Sequence, residues 1–236
     1  MKYTFISDKG ISRDNNEDFI LISEELSLFL LADGMGGHLG GEIASEQACR
    51  FIMDEVYADK KGLKENPVRV FESAVQKANA QLLEMAVVNP ELEGMGTTIV
   101  ILHMEEDDYT ICHLGDSRAY KFDGKKLIRL TKDHSFVQQM IDDGIITEKE
   151  AKNHKYRNVI TRSLGFPLEY NLEFTKGQLQ EGEILLLCTD GLHDYVDLKK
   201  VEKLLKKHGI EAIDEIAGLA NEAGGKDNCS LVCVSK

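Results

Sequence analysis

The stretch Leu28–Gly41, LFLLADGMGGHLGG, decides how the rest of the chain is read. Five consecutive apolar residues, Leu28 to Ala32, run into Asp33, and five glycines follow between Gly34 and Gly41. An apolar run of this length reads as a buried strand. The glycines let backbone turn, or approach a ligand, where a Cβ would clash. The strand thus delivers one carboxylate, Asp33, to a tight loop almost free of side chains. A hard cation suits that layout, because it takes carboxylate oxygens and exposed backbone carbonyls as ligands. An Asp-Gly turn closing a strand is also an ordinary structural device. The reading of Asp33 therefore depends on whether acids follow other buried strands.

They do. Residues 183–188 form a second strongly apolar strand that runs into Thr189-Asp190-Gly191-Leu192-His193-Asp194. A strand over 109–114 ends in Gly115-Asp116, and Gly224-Gly225-Lys226-Asp227-Asn228 leads into the terminal strand CSLVCV, with Cys229 and Cys233 on one face. Near the start, strands over 2–8 and 18–23 flank the polar loop GISRDNNED, which carries Arg13, Glu17 and Asp18. Asp123-Gly124 is different. Its flanks in AYKFDGKKLIRL are polar and alternating, so that turn is a plain hairpin signal.

Between these acids lie helical patterns. Ala44, Ala48, Ile52 and Val56 give one face of a helix that begins at Gly41. Asn66 as cap and Pro67 in the first turn announce another, with Phe71, Val75, Ala78, Leu82 and Met85 inward and Asn89-Pro90 as its end. Asp197 caps a third, closed by Gly209, and Ile213, Ile216, Ala217 and Ala220 mark a fourth. A further strand is expected over 97–104. Residues 131–170 break the strand pattern: an amphipathic stretch over 136–141 stops at Gly144, and Thr147-Glu148-Lys149-Glu150 is a capping box. This segment, with Arg157 and Arg162, reads as an inserted flap over a site. Its His134 and His154 read as surface or capping residues, since no ligand partner stands at metal spacing.

The chain has 236 residues, enough for one sizeable core, and only three prolines. Its net charge of -13 repels phosphate backbones, which argues against nucleic acid as a partner. Five cysteines form no CxxC pair and no complete disulfide framework, which fits a reducing compartment. No stretch is long and apolar enough for membrane insertion, and the first residues lack the apolar core of a signal peptide. A cytoplasmic protein is expected.

Glu17, Asp18, Asp33, Asp116, Asp190, Asp194 and Asp227 all flank expected strand ends, which converge if the strands pair centrally. Carboxylates gathered in this way raise one another's pKa unless cations neutralise them. Two divalent metals would hold a bridging water whose pKa falls towards neutrality. With Arg13 holding an anion, the natural reaction is in-line hydrolysis of a phosphoester. All-oxygen ligands favour Mg²⁺ or Mn²⁺ over Zn²⁺. No GxGxxG, P-loop, EF-hand or GxSxG motif competes.

The stretches RDNNED (13–18), ADGMGGH (32–38), GMGTT (94–98), GDSR (115–118), TKDHS (131–135), ITRSLG (160–165), TDGLHD (189–194) and GGKDN (224–228) resemble, in order and over nearly the whole chain, the metal-dependent type 2C (PPM) Ser/Thr protein phosphatases, above all the small single-domain bacterial members. The resemblance implies an α+β fold, a four-layer α-β-β-α sandwich of two antiparallel sheets flanked by helices, over residues 1–236, with a flap at about 132–170. It implies that Asp33 bridges two metals, that the Gly34 carbonyl binds one, and that Asp190 and Asp227 complete the ligands. Glu17 and Asp18 then hold metal-bound waters, and Asp116 with Asp190 and Asp194 matches a third metal site. Arg13 binds the substrate phosphate, joined by Arg162. Animal members place a His directly after the Asp-Gly pair; here Met35 stands there, so the leaving-group acid falls to His38 or to metal-bound water. The activity implied is hydrolysis of phosphoserine and phosphothreonine in proteins by a metal-bridging hydroxide. The partners implied are phosphoproteins and a cognate membrane-anchored Ser/Thr kinase, for an enzyme acting as a monomer. Two rival readings are a non-catalytic phosphoprotein-binding module and a metal-dependent phosphodiesterase or nuclease.

Overall fold

Strand β3 (Leu28–Met35) sorts its side chains between two layers. Leu28, Leu30 and Ala32 pack against helices, while Phe29 and Leu31 face a second sheet. The same division recurs in β10 (Ile184–Cys188), with Leu186 and Cys188 towards helices and Leu185 and Leu187 between the sheets. In β11 (Cys229–Ser235), Leu231 and Cys233 face outward to helices and Val232 and Val234 inward. Strands covered on both faces have no polar side, which is why these segments read as unbroken apolar runs. The structure is a computed structural model that describes residues 1–36, 40–168 and 172–236.

One sheet runs β1 (Lys2–Asp8), β11, β10, β7 (Arg118–Phe122), β8 (Leu127–Arg129). The other runs β2 (Asp18–Ser23), β3, β5 (Ile99–Glu105), β6 (Asp108–Leu114), β9 (Glu173–Gln178), and the short β4 (Gly96–Thr97) pairs with β3. The pairings are antiparallel. Helices α1 (Gly40–Ala58) and α3 (Pro67–Val88) cover the second sheet; α7 (Leu198–His208) and α8 (Ile213–Glu222) cover the first. This is the expected α-β-β-α sandwich. Helix α1 buries Ala44, Ala48, Ile52 and Val56, and α3 buries Phe71, Val75, Ala78 and Leu82. The Asn66 side chain accepts from the Arg69 N–H, as its capping role requires.

One strand boundary needs correction, and three further elements carry no signal in the sequence pattern. Strand β3 does not end at Asp33: Gly34 and Met35 continue it by pairing with Thr97 and Gly96. The edge strand β9, EFTKGQ, carries no apolar run because it is half-exposed; Gly177 leaves room for the Tyr109 ring, which a Cβ there would strike. Helix α2 (Lys60–Glu65) went unread because six polar-rich residues show no periodicity; Asp59 caps it by accepting from the Gly62 N–H. Residues 190–193, which follow the apolar strand, form a single helical turn, α6 (Asp190–His193). The segment read as a flap contains α4 (Phe136–Asp142) and α5 (Glu148–Ala151), with the expected capping box at Thr147. It returns to the body at Leu164, which is fully buried in the core beneath α1 and α3 and bridges Thr97.

Candidate metal centre

The topology brings the acids together from both sheets. Asp18 on β2 is the antiparallel partner of Asp33 on β3. Asp33 follows Phe29 and Leu31 in the alternation, so the pleat gives it the inter-sheet side. From the other sheet come Asp190, at the end of β10, and Asp227, just before β11. Asp116 follows β6 and lies beside Asp194, which closes α6. Asp33 feels the charges of Asp18, Asp190, Asp116 and Asp227, and Asp190 those of Asp116, Asp227, Asp194 and Asp18.

Backbone contacts fix the loops that carry them. The Thr97 hydroxyl and the Thr98 N–H both donate to the Asp33 carbonyl, at 2.9 Å, and the Asp33 N–H donates to Thr98 Oγ1 at 3.0 Å. The Gly34 N–H donates to the Glu17 carbonyl at 3.0 Å, binding the β3 end to the Arg13 loop. A Cβ at Gly34 would collide with the Gly41 carbonyl, so only glycine admits α1 this close. Asn228 closes the opposite side: its Oδ1 accepts from the Glu17 N–H, and its Nδ2 donates to the Lys9 and Asn15 carbonyls. Thr189 links the sheets, donating to Asp18 Oδ2 at 2.9 Å and accepting from the Ser230 N–H at 3.0 Å. His193 lies with Nδ1 3.1 Å from Asp194 Oδ1 and Nε2 3.1 Å from the Asp116 carbonyl oxygen. The sequence marked neither Thr98, Thr189, His193 nor Asn228 as contributors, because their partners are distant in the chain.

The electrostatics are those of acids short of counter-charge. Burial, with Asp227 adding, pushes Asp18 up to about 7 despite its donors. Burial, then Asp133 and Asp194, does the same to Asp116, also to about 7. Asp33 and Asp190 rise well above the carboxylate range, through burial first and their acidic neighbours second. Glu17 is raised mainly by burial. Asp194 departs from the expected mutual raising: burial opposes its ionisation, but the His193 hydrogen bond and charge hold it below its usual value. Two like charges ~5 Å apart repel by roughly 3 kcal/mol at an effective dielectric near 20. Several such pairs would consume much of a domain's stability of about 5–15 kcal/mol. The acids must therefore bind protons or cations.

Among the described residues, Asp18 Oδ1 and Asp116 Oδ1 are buried oxygens with no hydrogen-bond partner. An orphaned carboxylate oxygen in a group of all-oxygen donors fits a hard divalent cation. Arg13 lies at the rim, with Nη2 2.7 Å from Asp227 Oδ1 and Nη1 4.0 Å from Glu17 Oε2. Its side chain is 43 % exposed, so it is open to an incoming anion while anchored to the acids. Arg162 donates to Glu173 Oε1 at 3.1 Å, on the edge strand. His38 lies outside the described residues.

A second group joins His113, His134 and Glu173, whose ligand atoms lie within 4.8 Å of one another. His134 is buried rather than at the surface, stacked on His113 with ring centroids 4.7 Å apart; His154, by contrast, accepts from the Tyr156 N–H as a turn cap. The Gly115 N–H donates to His134 Nδ1 at 3.1 Å, so the neutral ring carries its proton on Nε2, 3.2 Å from Glu173 Oε1. That tautomer leaves no lone pair for a metal. The group fastens the Asp116 turn to β9 and Arg162.

Fold and site together define a class: a layered α-β-β-α protein with a polycarboxylate centre at one end of its two sheets. The chain belongs to the protein phosphatase 2C family, whose sequence profile matches residues 10–222. It is 32% identical over 242 residues to the serine/threonine phosphatase stp of Listeria monocytogenes, covering 100% of this chain and 96% of that protein. A crystal structure of the Mycobacterium tuberculosis serine/threonine phosphatase PstP/Ppp superposes with a TM-score of 0.89 at 34% identity, covering 98% of this chain and 97% of that one. The PstP catalytic domain in complex with 2 manganese ions superposes with a TM-score of 0.86 at 33% identity, covering 98% and 96%.

Proposed function

We propose that the chain is a metal-dependent phosphatase that hydrolyses phosphoserine and phosphothreonine in proteins. The observation that carries this reading is the set of four aspartates, Asp18 and Asp116 buried and Asp33 and Asp190 partly buried, all with raised pKa and two with orphaned oxygens, beside a partly exposed arginine. Asp33, Asp190, Asp227 and the Gly34 carbonyl are assigned as ligands of two Mn²⁺ or Mg²⁺ ions, with Glu17 and Asp18 accepting from waters around them. Asp116, Asp190 and Asp194 are assigned to a third. When bound, such ions supply positive charge for the phosphoryl oxygens and lower the pKa of a water towards neutrality.

The chain's own residues then do the positioning. Arg13 offers a planar pair of donors to a phosphate oxygen pair, held in place by Asp227. Thr97 and Thr98 fix the Asp33 backbone, and Thr189 fixes the Asp18 carboxylate, so little reorganisation accompanies charge development. The proton for the leaving hydroxyl comes from His38 or from solvent. Arg162 is assigned to the substrate's distal contacts, from the flap at about 132–170. All assigned ligands come from one chain, which supports a monomer and a single catalytic unit over 1–236. The phosphoproteins imply a kinase that makes them, and we propose a membrane-anchored Ser/Thr kinase as counterpart. Five free buried cysteines, and the finding that no helix among the described residues is long and apolar enough to cross a membrane, support work in the cytoplasm.

The test compares p-nitrophenyl phosphate with a phosphothreonine peptide, in EDTA and in Mn²⁺, for the parent and Asp190→Ala. Mn²⁺-dependent turnover of both, nearly abolished by the substitution, is expected. Equal turnover in EDTA rejects the mechanism. Turnover of p-nitrophenyl phosphate but not of the peptide favours the phosphodiesterase reading.

A further inference from the structure

On a chain with net charge -13, one helix is basic along a whole face. Helix α7, LKKVEKLLKKH, buries Val201 and Leu205 and exposes Lys199, Lys200, Lys203, Lys206 and Lys207. At 100° per residue these five lysines fall within about 120° of arc, opposite the buried pair, along about 12 Å of helix. The helix has a single acid, Glu202, which stands on the flank and accepts from the Leu127 N–H at 2.9 Å. That bond ties the β7–β8 hairpin to the helix and brings two more exposed lysines, Lys125 and Lys126, to the same side.

What sets these lysines apart is their density on one helix face, where no carboxylate among the described residues is paired with them, whereas several lysines elsewhere are neutralised. Lys60, Lys61, Lys77, Lys121, Lys132 and Lys236 each meet a carboxylate. Among the described residues, none of the five on α7 has an ion pair. A positive face left unneutralised on an acidic protein is complementary to an external anion.

We infer that this face docks the protein, peripherally and reversibly, on an anionic lipid surface. The chemistry of the stripe selects that occupant. It holds lysines and no arginine, so it offers point charges rather than the planar fork that reads a carboxylate or phosphodiester in a fixed geometry. It holds no exposed aromatic or apolar anchor of the kind that concentrates energy at a protein interface. A flat array of ammonium groups meets a diffuse plane of negative headgroups without needing shape. Attraction acts within a Debye length of about 8 Å and so is strongly salt-dependent. The acidic remainder of the surface is repelled, which orients the molecule helix-side down.

Co-sedimentation of the metal-loaded protein, freed of excess cation, with phosphatidylglycerol-containing and pure phosphatidylcholine vesicles tests the inference. Binding to the anionic vesicles at low salt, its loss at high salt and its absence on phosphatidylcholine are expected. Each lysine near such a surface is worth about fivefold in partitioning. Replacing Lys203, Lys206 and Lys207 together by Gln should therefore lower partitioning roughly a hundredfold while leaving the melting temperature unchanged. Replacing Lys60, Lys61 and Lys77 by Gln is the control and should change partitioning far less. The inference is overturned if the parent ignores anionic vesicles, if both triple variants lose binding equally, or if phosphatidylcholine serves as well. Preferential capture by a polyglutamate peptide or an RNA duplex, at the same salt, would also overturn it in favour of a macromolecular partner.

Discussion

Asp116 and Asp133 are neighbouring, largely buried acids with opposite fates. Asp133 receives Arg118 through two guanidinium nitrogens and also pairs with Arg129. Burial opposes its ionisation, but the two arginines hold its carboxyl below the usual range. Asp116, beside it, keeps one oxygen without any partner and is pushed up to about 7. Burial is common to both, so burial does not mark a functional acid. What differs is whether the fold supplies the counter-charge. Asp133 is a finished ion pair that holds the β7–β8 region to the following turn. Asp116, like Asp18, Asp33 and Asp190, has its pKa raised rather than lowered, the state we propose that cations relieve.

Substitutions at the two kinds of acid should therefore separate activity from stability. The largest effect is expected at Asp33. Asp33→Asn should lower Mn²⁺-dependent turnover about a thousandfold or more, since several kcal/mol of transition-state stabilisation depend on the cations it helps hold. In EDTA the same variant should melt at a higher temperature than the parent, because one repelling carboxylate is gone. Asp133→Asn should do the reverse. It leaves Arg118 and Arg129 without their partner in a buried setting, which typically costs about 3–5 kcal/mol. Denaturant titration should show that loss with or without Mn²⁺. A destabilised Asp33→Asn, or an Asp133→Asn that Mn²⁺ restores, would erase the distinction.

The pH dependence sharpens it further. Asp18 and Asp116 titrate near 7 in the fold and near 4 when unfolded. Between those values the folded state keeps protons that the unfolded chain has released, so the metal-free protein loses stability as pH rises through this window. Asp33 and Asp190, raised by burial first and by their acidic neighbours second, add to the loss in the same direction. Denaturation midpoints in EDTA should fall from about pH 4 to about pH 7. In saturating Mn²⁺ the slope should vanish, because cation replaces proton. A flat profile in EDTA would show that the acids have counter-charges within the fold.

This contrast explains what the sequence could and could not convey. Asp33 and Asp190 stand out because each follows a strongly apolar strand, where a carboxylate contradicts its neighbours. The layers were legible for the same reason: Leu28–Leu31 and Leu185–Leu187 can only be strands covered twice. Asp133 gave no sign of its role, since its arginines sit on other strands and their convergence is a property of pairing. Strand β9 was silent because an edge strand with one wet face needs no apolar run. His134 looked like a surface residue because its burial depends on stacking with His113, which belongs to β6. Local chemistry was readable where one residue contradicted its own neighbours. Where an interaction joined two ordinary segments, it was not.

The finest probe of the comparison lies one bond away from the acids. Thr189 donates to Asp18 Oδ2 at 2.9 Å and takes the Ser230 N–H in return. Thr189→Val keeps the shape but strips that N–H of its acceptor and Asp18 of a donor in a buried place, a loss of about 1–3 kcal/mol in stability. If Asp18 were an acid of the Asp133 kind, completed by the fold, the consequence would end there. If instead Asp18 waits for a cation and its waters, the freed carboxylate is also less well aimed. Loss of such an orienting contact typically weakens metal binding by about tenfold or more. Isothermal titration with Mn²⁺ separates the two outcomes: weaker binding supports an aimed ligand, whereas unchanged affinity with reduced stability would return Asp18 to the structural acids.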